Sequence, residues 1–186
     1  MAYRAIKYIF LFILSLMISV LIPISGSYGS EASTMESKLK AAFIYNFAKF
    51  VEWPASTDNA ATNQLFVIGI LGYNQVAKEL MAIEDKTVKG KKLSVKTLSN
   101  TKQMRDCHVI FISASEQNNL TGILTTIKHK EILTISDMIN FTEKGGIIGL
   151  VKVENKIRFD INLKAAEESG LKIRSDLLSL AREINH

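Results

Sequence analysis

The chain of 186 residues carries one cysteine, three histidines, two prolines and one tryptophan. A single thiol, Cys107, excludes any disulfide within the chain, so this is not a small scaffold stapled by bridges. A lone Cys ahead of an apolar strand reads first as a buried thiol, with an intermolecular or redox role as the alternative. His108, His129 and His186 stand at a strand start, a helix end and the last position, with no ligand-type residue at metal spacing. No HExxH or CxxC pattern is present either, so no metal site is expected. The stretch Gly69-Ile70-Leu71-Gly72 is not a GxGxxG turn, and both GxxxxGK[ST] and GxSxG are missing. A phosphoacceptor domain would need acids at the end of the first strand, where the chain reads Ile70-Leu71-Gly72-Tyr73. These absences leave no visible catalytic group, and the expectation is a protein that is not an enzyme and needs no cofactor.

Long apolar runs are also scarce, with one exception at the front. Met1 to Lys7 holds Arg4 and Lys7 and no acid, Tyr8 to Ile24 is almost wholly apolar, and Ser25 to Ser30 is small and polar. That order is the pattern of a secretory signal peptide. Ser27 and Gly29 favour cleavage after Gly29, and cleavage after Ala32 is the alternative. An uncleaved anchor competes, because a run of ~17 residues sits at the lower limit for spanning a bilayer. Either way the folded part is expected outside the cytoplasm. Losing residues 1–29 lowers the formal net charge from +5 to +3. With no basic stripe interleaved with aromatics, that balance gives no argument for nucleic acid. The expected organisation is a signal peptide over 1–29, a flexible segment over 30–37 and one domain over 38–186.

In that domain, Leu39, Phe43, Phe47 and Phe50 fall on one face of a helix over about Glu36 to Glu52, ended by Pro54. Leu65 to Leu71 is a continuous apolar run that suits a strand buried on both faces. Helix over Gln75–Ile83, strand over Leu93–Leu98, a helical turn over Asn100–Arg105 and strand over Cys107–Ser113 follow. Then come helix over Gln117–Lys128, strand over Ile132–Ile135 and a short helix over Met138–Thr142. Ile147–Val153 and Lys156–Ile161 read as a hairpin in which Arg158 and Asp160 alternate with Ile157, Phe159 and Ile161. Two helices close the chain, Leu163–Ser169 and one from Ser175 through Ile184. Strands alternating with helices predict a single three-layer α/β domain. Its sheet is mostly parallel, of about five to six strands with a C-terminal antiparallel hairpin, and helices cover both faces.

Two surfaces are candidates. Ligands of an open α/β sheet bind beyond the carboxyl ends of the strands, here Tyr73, Asn74, Ser113, Ser115, Ser136 and Asp137. The same residues are good helix caps, which is the plainer reading. The wet face of the hairpin offers Glu154, Lys156, Arg158 and Asp160 to a partner, although charges on an edge strand also serve simply to block aggregation. An edge hairpin and an aromatic helix could each be shared between chains, so a homodimer, bridged by Cys107 if that thiol is exposed, stays open.

Three blocks of the sequence resemble the YfiR family of bacterial periplasmic regulatory proteins. They are Lys40 to Pro54; Gly90-Lys91-Lys92-Leu93 with Cys107 to Ser113; and Gly145-Gly146-Ile147-Ile148 through Arg158 to Asn162, Ala165-Ala166 and Gly170 to Ile173, to Leu177-Leu178. The resemblance implies a non-enzymatic α/β domain in the periplasm. It implies a repressor that binds the periplasmic part of an inner-membrane diguanylate cyclase, and an outer-membrane lipoprotein able to withdraw it. Control of cyclic-di-GMP, biofilm and motility would follow. A sensor kinase is the alternative partner, and a small-molecule sensor acting with such a kinase or a transport system is the alternative function. The resemblance also implies a family disulfide to the position of Cys107; its partner position aligns with Gly69 here, so that redox chemistry is not carried over.

Overall fold

The computed structural model describes residues 28–54 and 65–186. The chain divides into two compact units, Met1–Ser33 and Thr34–His186, and the second holds the sheet. The apolar leader to residue 27 and the loop over 55–64 lie outside the described residues.

In chain order the elements are α1 (Tyr28–Phe50), β1 (Val51–Glu52), β2 (Leu65–Leu71), α2 (Gln75–Met81), β3 (Thr87–Val88) and β4 (Lys91–Thr97). A 3₁₀ turn (Thr101–Asp106), β5 (Val109–Ile112), a second 3₁₀ turn (Ala114–Asn119), α3 (Leu120–Ile127) and β6 (Leu133–Ser136) follow. The last are β7 (Ile148–Val153), β8 (Lys156–Asn162), α4 (Leu163–Glu168), β9 (Lys172–Ile173), α5 (Ser175–Leu178) and β10 (Glu183–Asn185).

Eight strands form one sheet in the order β10-β8-β7-β6-β5-β2-β4-β3, and β1 pairs separately with β9. Pairing is antiparallel in the hairpins β3–β4 and β7–β8 and parallel elsewhere in the large sheet. The central strands are apolar on both sides because both sides are covered. Phe66, Ile68, Ile70, Val109, Phe111, Leu133 and Ile135 face one core with α1 and α2. Val67, Leu71, Ile110 and Ile112 face a second core with Met104 and the α3 residues Leu120, Ile123 and Ile127. The three-layer α/β class expected from the sequence is the one observed. The sheet is wider than expected because short strands were added at both edges.

Three elements differ from the sequence reading. First, α1 begins at Tyr28, so 30–37 is helical. That segment holds no helix breaker, Ser37 is buried, and Glu36 pairs with Lys40 one turn on. The buried stripe of α1 is also turned by about 100°, roughly one residue. Ala41, Ile44, Phe47, Ala48 and Val51 are buried, whereas Leu39 is 45% exposed and Phe43 and Phe50 lie at the flank. Periodicity weighs side-chain size. Packing instead placed the small Ala41 and Ala48 against the sheet, which lets the helix lie close, and left Phe47 and Phe43 to meet Phe159 of β8 with ring centroids at 4.8 and 6.0 Å.

Second, residues 138–145 form turns and not a short helix. Ser136 Oγ accepts from Met138 N at 3.0 Å, and Asn140 adopts φ +57°. Third, the last helix stops at Leu178 and the chain re-enters the sheet as β10, parallel to β8. Arg182 drives this: its backbone N donates to Phe159 O at 2.8 Å and its guanidinium clamps Asp160 in bidentate fashion. The hairpin is consequently not the sheet edge.

The rotated stripe has a measurable consequence. Ile44→Ala is expected to cost about 2–5 kcal/mol in urea unfolding, and Leu39→Ala no more than about 0.5 kcal/mol. Equal costs would return the core face to the larger side chains.

Candidate functional site

The strand-end residues expected to form one pocket are divided. β4, β2, β5, β6 and β7 lie in an order that switches direction between β2 and β5, where such folds place ligands. At that point small side chains lie close together and bond to one another. Gly72 has φ +75°, and a Cβ on it would fall 2.3 Å from Ser115 Oγ. Ser115 Oγ donates to Ser113 Oγ at 3.3 Å, and Ser113 Oγ donates to Tyr73 O at 3.4 Å. Asn74 Oδ1 caps α2 by accepting from Ala77 N at 3.0 Å, while Tyr73 is 74% exposed. Ser136, fully buried, donates to Ile112 O at 2.6 Å. These hydroxyl and amide groups serve the fold as caps and ties.

Asp137 is different. It lines a cavity of about 400 Å³ at the carboxyl end of β6, together with Lys40, Lys152, Asp160 and Arg182. A residue expected in the ligand pocket and one expected on the partner face thus share a wall. Lys40 Nζ is held between Glu36 Oε1 at 2.9 Å and Asp137 Oδ2 at 3.1 Å, and Glu36 Oε2 in turn accepts from Lys152 Nζ at 2.8 Å. Asp137 Oδ1 is buried with no partner among the described residues. Hydrogen bonds from Lys152 and then Lys40 hold the Glu36 carboxyl below its ordinary value of 4.5. Burial pulls the Lys40 ammonium down, but the Glu36 hydrogen bond and the charge of Asp137 outweigh it and raise it above 10.5. Asp160, opposite, is 6% exposed and is neutralised by Arg182, which remains 44% exposed in its side chain.

The expected wet face is therefore smaller by one residue: Asp160 points into this cavity and not to solvent. Glu154, Lys156 and Arg158 are exposed. Glu154 and Asn155 take φ +47° and +62°, the two left-handed positions of a tight hairpin turn. Ile139, which lines the cavity with Lys40, Asp137 and Lys152, is 82% exposed. Lys40, Lys152, Arg182 and Ile139 escaped the sequence reading. The spacing of Glu36 and Lys40 was a signal for one pair only.

Cys107 is buried, and its Sγ donates to Gln103 O at 3.6 Å. Burial first, and then Asp106, push the thiol up to about 11. A Cβ built on Gly69 lies 2.7 Å from Cys107 Sγ and 2.7 Å from Leu98 Cδ1, so the two positions are neighbours across the sheet. Among the described residues no group of three His, Cys, Asp or Glu could hold a metal ion, and no helix is long and apolar enough to cross a membrane.

The fold is a doubly wound α/β domain with a charged cavity at the carboxyl end of β6. The chain belongs to the YfiR/HmsC-like family, whose model matches residues 37–182; the family is one of periplasmic regulatory proteins. Among solved structures the chain is similar to a conserved domain protein from Vibrio cholerae O1 biovar El Tor strain N16961, with 15% identity and a TM-score of 0.50. That likeness covers 80% of this chain and 60% of the other, and it concerns the fold. No curated protein matches the chain.

Two outcomes test the site's electrostatics. Because the folded-state value of Glu36 is depressed, its stabilisation is complete above 4.5 and is lost as pH falls below that through the folded value. Glu36→Gln should lower stability at neutral pH by up to about 1 kcal/mol. The variant and the natural chain should then converge as pH falls below 4.5 and through the folded value, followed by urea midpoint. For Cys107, iodoacetamide at about pH 8 should label the thiol in urea and leave the folded protein unlabelled over the same time; equal rates would mean an exposed, reactive thiol.

Proposed function

We propose that this protein is a non-enzymatic regulator of the periplasm that represses an inner-membrane diguanylate cyclase by binding its periplasmic domain, and so controls cyclic-di-GMP and biofilm. Membership of a regulatory family over residues 37–182 carries the reading. The exposed hairpin turn supports it. Glu154, Lys156 and Arg158 are exposed on it, charged groups of the kind found in the polar rim of a reversible protein interface. An outer-membrane lipoprotein would compete for the same chain.

A second reading is favoured by the cavity of about 400 Å³, a size in the range of small-molecule sites. In it the protein is a sensor whose ligand is held near Asp137, acting with a sensor kinase or a transport system.

Reversing Lys156 and Arg158 together to Glu tests the partner face, because both are exposed and neither is tied into the core. Pull-down of the cyclase's periplasmic domain should weaken at least about tenfold, in line with charges that steer association, and cellular cyclic-di-GMP should rise. Undiminished binding by a folded variant would remove this face from the interface. A kinase as the captured partner would favour the second reading.

A further inference from the structure

A separate groove lies at the other end of β6, between α3 and α4, with a volume of about 320 Å³. Its floor is apolar: Ile127 from α3, Ile132 ahead of β6 and Ile147 ahead of β7 are each buried. Its rim is cationic. Lys128, Lys144 and Lys164 come from three different parts of the chain, are exposed, and face the single lining carboxylate of Glu168. None of the three lysines enters an ion pair among the described residues, and the Lys144 ammonium donates to Ile139 O at 3.0 Å. His129 closes one end, its Nδ1 3.0 Å from Glu168 O, so that the end of α3 is tied to the end of α4.

This combination has a specific chemical complement. Three cations without a counter-charge, two of them with no side-chain hydrogen-bond partner among the described residues, make over a low-dielectric floor a positive potential that an anion would relieve. The apolar floor favours a ligand that brings hydrocarbon as well as charge. The enclosed volume is on the scale of a small molecule and not of a protein segment. We infer that the groove binds a small amphipathic anion: a carboxylate or phosphate-monoester head held by Lys128 and Lys164, with Lys144 adding positive charge at the rim, and an unbranched apolar tail of about eight carbons laid over Ile127, Ile132 and Ile147. This assignment is independent of the partner face, which lies on other residues.

Trp53 supplies an internal reporter. It is the only tryptophan of the chain, and its Nε1 donates to the carbonyl of Glu131, the residue next to Ile132, at 2.9 Å. The probes are octanoate and octyl phosphate, with acetate and octylammonium as controls for tail and charge, read by calorimetry and by Trp53 emission. At least one of the two octyl anions should bind 1:1 with a Kd below about 1 mM, and the tighter one identifies the head group. Acetate and octylammonium should bind at least tenfold more weakly. Lys128→Gln combined with Lys164→Gln should weaken the octyl anion at least fivefold. Thr125→Phe, at an exposed position of α3 on the groove wall, should block it, with Thr121→Phe as a second blocking variant if the first does not fold. No saturable binding by either octyl anion, equal binding of octylammonium, or full affinity in a folded blocking variant would overturn the assignment.

Discussion

The constraint on which the rest depends is two-sided burial of β2, β5 and β6. Side chains alternate across a strand, so a strand apolar at every position must be covered above and below. Phe66, Ile68 and Ile70 go to one core and Val67 and Leu71 to the other. Helices α1 and α2 close the first, and α3 with the Met104 turn closes the second. Such packing leaves little tolerance between strands. At Gly69 a Cβ would meet both Cys107 and Leu98, so the backbone there is kept bare.

The covering layers do not extend equally over the sheet, and that inequality makes the candidate cavity. Beyond the end of β6 the chain turns through residues 138–145 without a helix, leaving a cavity that is walled by charged side chains. Lys40 and Asp137 bring α1 and β6 together, Glu36 and Lys152 bring α1 and β7 together, and Asp160 and Arg182 bring β8 and the chain terminus together. Partly buried pairs of this kind add little net stability, because desolvation offsets attraction. Their effect is positional: each fixes how one element lies against the next.

Much of the architecture was legible along the chain. β2 occupies the apolar run Leu65–Leu71 residue for residue, and the hairpin turn falls at Glu154-Asn155 between alternating strands. Asn162 caps α4, with its Oδ1 2.9 Å from Ala165 N, and Gly170 follows at φ +73°. These are local effects, set by side-chain period and by caps within a few residues. The candidate site was half legible. Asp137 and Asp160 were both picked out, but for different surfaces, and their shared cavity was not. Lys40 and Arg182 lie 97 and 22 residues from the carboxylates they hold, and no local pattern announces such a pair.

By itself, then, the sequence determined the α/β class, the two-sided central strands, the caps, the absence of catalytic and metal motifs, and the family that three separated blocks resemble. Each follows from short-range chemistry or from residue types that are present or missing. Only the tertiary structure decided which face of α1 is buried, that Ser113 and Ser115 bond to each other at the switch point, and that the last residues form β10 instead of helix. Those outcomes depend on fit and charge between segments far apart in the chain. Ala41 and Ala48 prevailed over larger neighbours because they allow close approach to the sheet. Arg182 returned the terminus to β8 because Asp160 was buried there and required a counter-charge.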